Sequence, residues 1–283
     1  CPFNLMLKYI PEGSAIFDGS VLNNPINIIG EGGNPNNVVL RYNVGCENPS
    51  NYMFEIYNAN SFNVSGCTFI VGGDCGMGGI FYFEGCQGVN FTNNRFYGIS
   101  YVEPMYANDY ILINILNSNG YTFTDNRFYD NGISVMQEID DPMYCPRSIS
   151  FVNNQFQGFS YQGCYLDNMA CTNSSVLFQN NKFLGQSGVQ PVNGIYSANG
   201  NDAIIGNTFS GFTGNNTSDQ AAVYISRVGI TTTDGGGGSG GGGGEGTPAA
   251  TGNIIVDGNQ FSQMQDLQGV RIEGADNVDI LHN

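Results

Sequence analysis

Four carboxylates fall within twelve positions of one another, at Asp130, Glu138, Asp140 and Asp141. A protonated acid facing an ionised one across a sugar hydrolyses a glycosidic bond. Several carboxylate oxygens converging on one point hold Ca²⁺. The stretch Asp130–Asp141 has no fixed spacing that selects either chemistry, so it reads first as a solvated connection, then as a calcium site, and last as a catalytic pair. Bases are scarcer still. The one histidine is His282, and Arg41, Arg95, Arg127, Arg147, Lys182, Arg227 and Arg271 are mostly scattered. Abstracting a proton beside a uronate needs a base next to a cation or metal, and no such combination stands out. Arg95, Arg127 and Lys182 do share a position in the repeat described below, where they read as a solvated edge. No residue is assigned a catalytic or metal-binding role, no cofactor beyond Ca²⁺ is considered, and the chain is read first as a non-enzyme, with a polysaccharide-active enzyme using Asp130–Asp141 as the alternative.

Binding chemistry is better represented. A recurring strand reads Phe54-Glu-Ile56, Ile80-Phe-Tyr82, Ile111-Leu-Ile113, Ile133-Ser-Val135, Cys164-Tyr-Leu166, Ile195-Tyr-Ser197, Val223-Tyr-Ile225 and Val270-Arg-Ile272. Its middle residue should face outward, giving the column Glu55, Phe81, Leu112, Ser134, Tyr165, Tyr196, Tyr224 and Arg271. Tyr165, Tyr196 and Tyr224 in succession form an aromatic ladder suited to a glycan or a protein partner. The plainer reading is that Tyr suits a strand. Five Asn-x-Ser/Thr sequons, at Asn63, Asn90, Asn173, Asn215 and Asn216, are candidate acceptors of N-linked glycans. Asn63 and Asn90 point outward from neighbouring strands, while the other three fall in turns. The eight cysteines all precede residue 172. Together with the sequons they indicate an oxidising, secretory route and an extracellular or cell-surface protein. Cys145 lies six residues before Phe151 and Cys171 seven before Phe178, which places them side by side and predicts a Cys145–Cys171 disulfide.

The element behind these positions is a repeated phrase. Val89-Asn-Phe91-Thr-Asn-Asn94-Arg-Phe96 returns at Tyr121, Ile149, Val176, Asp202 and Ile254; Phe62 to Phe69 fits with Cys67 in the Asn slot, and Val278 begins another copy. Alternating apolar and polar residues make a strand, and the Asn, which tolerates the left-handed backbone conformation, makes a sharp turn. Strict alternation of this phrase with the Tyr-bearing strand means that every coil contributes to at least two parallel sheets. Like residues then stack: an Asn column at 43, 94, 126, 154, 181, 207, 259 and 283, beside a Phe column at 69, 96, 128, 156, 183, 209 and 261. The fold expected is all-β, a right-handed parallel β-helix of about ten coils, forming a single domain over residues 1–283. Residues 1–45 supply the first rungs and 46–283 the repeated coils, interrupted by a flexible Gly-rich insertion at 234–247. Asn283 stops in mid-phrase, so the chain reads as a fragment of a longer protein, with an open rung available for end-to-end self-association into a fibre.

These residues resemble the pectin-lyase-like superfamily of parallel β-helix proteins over essentially the whole chain. More narrowly, Phe91-Thr-Asn-Asn94, Phe123-Thr-Asp-Asn126, Phe151-Val-Asn-Asn154 and Phe178-Gln-Asn-Asn181 are similar to the Phe-x-x-Asn repeat of polymorphic outer-membrane, autotransporter-type adhesins. The companion Gly-Gly-Ala-Ile repeat is met best by Gly78-Gly79-Ile80. The superfamily resemblance implies a polysaccharide-active hydrolase or lyase, and the narrower one implies a surface role. The Asp-Asp and Gly-His-Gly elements of polygalacturonase-type hydrolases do not occur together.

Charge narrows the partners. With 24 acidic and 8 basic residues the net charge is −16, which disfavours nucleic acid and anionic lipid surfaces, since both demand basic patches. No run approaches the roughly 20 apolar residues of a membrane span. The combined expectation is a structural or adhesive extracellular protein.

Overall fold

The computed structural model describes residues 3–4, 15–18, 25–43, 52–72, 79–98, 111–139, 142–145, 148–167, 171, 174–185, 193–198, 200–214, 220–226, 253–275 and 277–283. It is a parallel β-solenoid, essentially without helix. One sheet holds ten strands, among them Phe62–Ser65, Gln87–Thr92, Asn119–Thr124, Ser148–Val152, Ser174–Gln179, Gly200–Ile205, Asn253–Asp257 and Asn277–Leu281. A fifteen-stranded sheet carries both remaining sides of each coil. Its short corner strands include Thr68–Gly72, Arg95–Tyr97, Lys182–Leu184 and Thr208–Ser210. Its longer face strands include Phe54–Tyr57, Phe81–Glu84, Ile111–Leu116, Asn193–Ala198, Ala221–Ser226 and Gln268–Glu273. In two coils corner and face merge into single long strands, Arg127–Glu138 and Gln155–Asp167. The Gly-rich insertion lies outside the described residues.

The corner after the first sheet explains why the phrase repeats. Asn126 Nδ2 donates to the Phe91 carbonyl at 2.9 Å and to Asn154 Oδ1 at 3.1 Å. Its Oδ1 accepts from the Asn94 backbone N–H at 3.0 Å. The same links join Asn154 to Asn181, Asn181 to Asn207, and Asn207 to Asn259. The side-chain amide thus replaces the backbone partners that a corner removes, and Asn94, Asn126, Asn154, Asn181, Asn207 and Asn259 are all buried. The expectation that the column residue itself takes the left-handed conformation is corrected. That role belongs to the preceding residue, Asn93, Asp125, Asn153 or Asn180, and to Gly206 and Gly258, all with φ between 53° and 64°.

Apolar identity fills the space inside the corner. Phe69, Phe96, Phe128, Phe156, Phe183, Phe209 and Phe261 stack at centroid distances of 4.6–5.4 Å. Phe91, Phe123, Phe151 and Phe178 make a second stack on the first sheet. Burying one such ring contributes roughly 1.5–3 kcal/mol. The regular part of the solenoid amounts to about six turns rather than about ten, corresponding to the six buried asparagines Asn94, Asn126, Asn154, Asn181, Asn207 and Asn259. Earlier rungs pair in parallel but lack the Asn–Phe phrase.

Cys145 and Cys171 are joined by a disulfide, with Cα atoms 5.4 Å apart. Cys67, Cys86 and Cys164 are buried free thiols. Burial pushes the Cys67 thiol up to about 12 and the Cys86 thiol up to about 11. No helix among the described residues is long and apolar enough to cross a membrane.

Candidate functional site

The face strands bring two outward columns together. In register along the solenoid, the first reads Glu55, Tyr82, Asn114, Met136, Tyr165, Tyr196, Tyr224 and Arg271. Two residues further along each strand, the second reads Tyr57, Glu84, Leu116, Glu138, Asp167, Ala198, Ser226 and Glu273. The expected column was right at Glu55 and from Tyr165 onward, and wrong between them. Phe81, Leu112 and Ser134 are buried, and Tyr82, Asn114 and Met136 take the outward places. At Phe81 the slip is one residue, which exchanges the two faces of a strand, and Phe81-Tyr-Phe83 carries too little polarity contrast to fix the choice. Leu112 and Ser134 lie two residues before Asn114 and Met136, on the same side of their strands but buried.

Tyr165, Tyr196 and Tyr224 do form the ladder. Tyr165 stacks on Tyr196 with centroids 4.8 Å apart and planes 9° from parallel, and Tyr196 meets Tyr224 edge to face at 5.4 Å. The stacked rings cover one another's faces, so edges and hydroxyls dominate what they offer outward. Tyr165 Oη donates to Asp167 at 3.2 Å, and Tyr224 Oη to Glu273 at 2.7 Å. Burial, and then the Asp167 charge, raise the Tyr165 and Tyr196 hydroxyls above the usual phenol range. At the end of the ladder the Arg271 guanidinium lies 4.9 Å from the Tyr224 ring centroid and pairs with Glu273. Hydrogen bonds from Tyr224 and Arg271 lower the Glu273 carboxyl.

The acid-rich stretch is not a loop through most of its length, which corrects the sequence reading. Asp130 and Glu138 both belong to the strand Arg127–Glu138. Asp130 sits at a kink with φ 49°, and burial raises its carboxyl. Glu138 is instead a register partner of Asp167 in the outward acidic column. Asp140 and Asp141 lie outside the described residues. Among the described residues no group of three or more His, Cys, Asp or Glu side chains is arranged to hold a metal.

Arg95, Arg127 and Lys182, expected as a solvated edge, line a polar cavity of about 490 Å³ together with Asn93, Asp125 and Gln155. His282 Nδ1 lies 3.0 Å from Asp257 on an exposed edge. Asn63 and Asn90 face outward from adjacent strands of the first sheet, where their amides donate to Asn27 and Asn63 at 2.8 and 2.9 Å. Asn173, Asn215 and Asn216 lie outside the described residues. Residues missed by sequence reasoning are Tyr52, Tyr57, Tyr82, Glu84, Asn114 and Asp167. Tyr57, Tyr82, Glu84 and Asp167 carried a signal, an aromatic residue and an acid two apart, as in Glu55-Ile-Tyr57, Tyr82-Phe-Glu84 and Tyr165-Leu-Asp167, whereas Tyr52 and Asn114, which join them into a cluster, carried none.

No family model and no curated protein matches this chain. One similar solved structure is the catalytic domain of a GH87 alpha-1,3-glucanase in complex with nigerose, at 13% identity and a TM-score of 0.33. A substituted form of that domain matches at 12% identity and the same TM-score. Both alignments cover 99% of this chain and 62% of the other, so the chain spans less than two thirds of those domains. At that TM-score the resemblance says nothing of what this chain binds or does.

Proposed function

We propose that this chain is an extracellular glycan-binding β-solenoid, with the ladder Tyr165, Tyr196 and Tyr224 and the neighbouring carboxylates as its binding face. The observation that carries this reading is the pairing of phenols with acids at the two ends of the ladder, Tyr165 with Asp167 and Tyr224 with Glu273. Carboxylates and phenols accept and donate hydrogen bonds at fixed places, which suits a polyhydroxy ligand lying along the rungs. Rungs repeat every 4.7–4.9 Å or so, so a ligand that is itself a repeating chain can meet several in succession. Such a surface serves adhesion or structural attachment without chemistry. The disulfide Cys145–Cys171 supports a secretory route, as do the five sequons. Asn173, Asn215 and Asn216 are the better glycan acceptors, because the amides of Asn63 and Asn90 are engaged in a side-chain ladder. Binding of a panel of neutral and acidic oligosaccharides, compared between the natural chain and a Tyr165→Ala/Tyr196→Ala/Tyr224→Ala variant, tests the face. Undiminished binding by the variant contradicts it.

A second reading is hydrolysis of the bound glycan, favoured by the register of Glu138 against Asp167. Backbones one rung apart can bring two carboxyls near the roughly 5–5.5 Å separation of a retaining glycosidase pair. Product release from an oligosaccharide that disappears in both Glu138→Gln and Asp167→Asn distinguishes this reading from binding alone.

A further inference from the structure

The outward column loses its ladder between Tyr82 and Tyr165, where Asn114 and Met136 interrupt the rings. Beside this gap three tyrosines gather. Tyr52 and Tyr82 have centroids 5.5 Å apart with planes tilted by 38°, and Tyr57 and Tyr82 are 5.9 Å apart and tilted by 58°. These rings are angled to one another rather than stacked, unlike Tyr165 and Tyr196. Tyr57 Oη donates to Glu55 at 3.1 Å, and Tyr82 Oη to Glu84 at 3.0 Å. Both phenolic protons are therefore turned to carboxylates.

Asn114 completes the group from the next rung. Its Nδ2 donates to Tyr52 Oη at 3.2 Å, and its buried Oδ1 has no hydrogen-bond partner. A buried carbonyl left without a donor is destabilising. The site around it is rich in acceptors and π density. Among the described residues every charge that acts on the three phenols is a carboxylate or another phenol, namely Glu55, Glu84 and Glu138 with Tyr52 and Tyr57. The position is also guarded sterically. A Cβ on Gly79 would lie 2.6 Å from the Tyr52 ring and 1.9 Å from the Ile111 carbonyl, so the close seat of Tyr52 requires glycine there.

The far end of the same column shows what such a setting accepts. Arg271 lies over the Tyr224 ring, and its guanidinium is held by Glu273, which also accepts the Tyr224 hydroxyl hydrogen bond. Phenol, carboxylate and guanidinium thus form one closed unit within the chain. At Tyr52, Tyr57 and Tyr82 the phenols and carboxylates recur, and an acceptor is left over.

We propose that Tyr52, Tyr57, Tyr82, Glu55, Glu84 and Asn114 form a binding site for an organic cation bearing N–H donors, an ammonium or a guanidinium. Ring faces and carboxylates stabilise the charge, and the Asn114 carbonyl accepts an N–H hydrogen bond that a quaternary ammonium cannot donate. The net charge of −16 favours approach of such a ligand from a distance. This site stands apart from Tyr165, Tyr196 and Tyr224, so it does not depend on the glycan reading.

The test uses the intact chain and methylguanidinium as probe, followed by tyrosine fluorescence, which is readable because the chain has no Trp. Saturable binding is expected, weaker by about tenfold or more in Tyr82→Ala and in Glu84→Gln. Asn114→Leu should lower methylguanidinium affinity while leaving tetramethylammonium unaffected. Glu84→Gln is nearly isosteric and keeps the test valid if Tyr82→Ala does not fold. Neutral methylurea should not compete. Competition by an arginine-bearing peptide, by spermidine or by a glucosamine oligomer then identifies the source of the cation. Absence of saturable methylguanidinium binding overturns the site, as do equal binding of methylurea and indifference to Glu84→Gln. Oligosaccharide binding through Tyr165, Tyr196 and Tyr224 should persist in Glu84→Gln, so the two proposals fail separately.

Discussion

The corner that carries the asparagines and the face that carries the tyrosines are built from the same coils, yet they differ in how completely they satisfy themselves. At the corner each Asn repeats the bonds of the one before, and the buried amides are matched to backbone groups and to each other. On the face the columns change identity from rung to rung, and a buried Asn114 oxygen is left without a donor. A closed, repetitive network specifies a fold. An irregular one with spare acceptors is where a ligand adds what the chain lacks.

The largest effect should come from the corner. Asn154→Ala removes partners from the Asn126 backbone N–H, the Asn126 amide and the Phe123 carbonyl. At about 1–3 kcal/mol for each orphaned group, the chain should lose several kcal/mol, measured by denaturant unfolding. Phe156→Ala, in the middle of the neighbouring stack, should cost about 3–5 kcal/mol. Tyr165→Ala on the face should cost far less stability than either, within ~1 kcal/mol. Equal losses at corner and face would remove the distinction between them.

High pH gives a smaller effect. Burial raises the Tyr52 hydroxyl to about 12 from an ordinary value of 10.0, partly offset by the Asn114 hydrogen bond. The folded chain therefore holds this proton when the unfolded chain has released it. Its contribution is complete below pH 10 and declines as pH rises from 10 toward 12. Titration of phenolate absorbance should show several late-ionising tyrosines, one fewer in Tyr52→Phe.

Much of this was legible from residue types. The Asn and Phe columns could be read because each copy presents the same inward residues at the same spacing, so one phrase predicts the next. The Cys145–Cys171 bond followed from the same frame. The face was only half legible. At Tyr165 and Tyr224 a lone polar aromatic sits between two less polar neighbours, and Tyr196 shares their frame, so the outward place is plain. At Phe81-Tyr82-Phe83 the contrast is weak, and the face was misassigned by one residue. The Tyr52 cluster was invisible, because Asn114 and Tyr52 are 62 positions apart and meet only through the register of several rungs. The acid-rich stretch misled for a related reason: Asp130 and Glu138 are near in sequence, but Glu138 belongs beside Asp167 on the next rung.

The most direct test is to measure oligosaccharide binding by calorimetry for the natural chain, for Tyr165→Ala/Tyr196→Ala/Tyr224→Ala, and for Arg127→Ala at the opposite corner. Binding should be retained in Arg127→Ala and reduced by about tenfold or more in the triple variant, with both variants still folded. Binding that survives the triple variant and is lost with Arg127 would place recognition in the corner cavity and contradict the assignment of the tyrosine face.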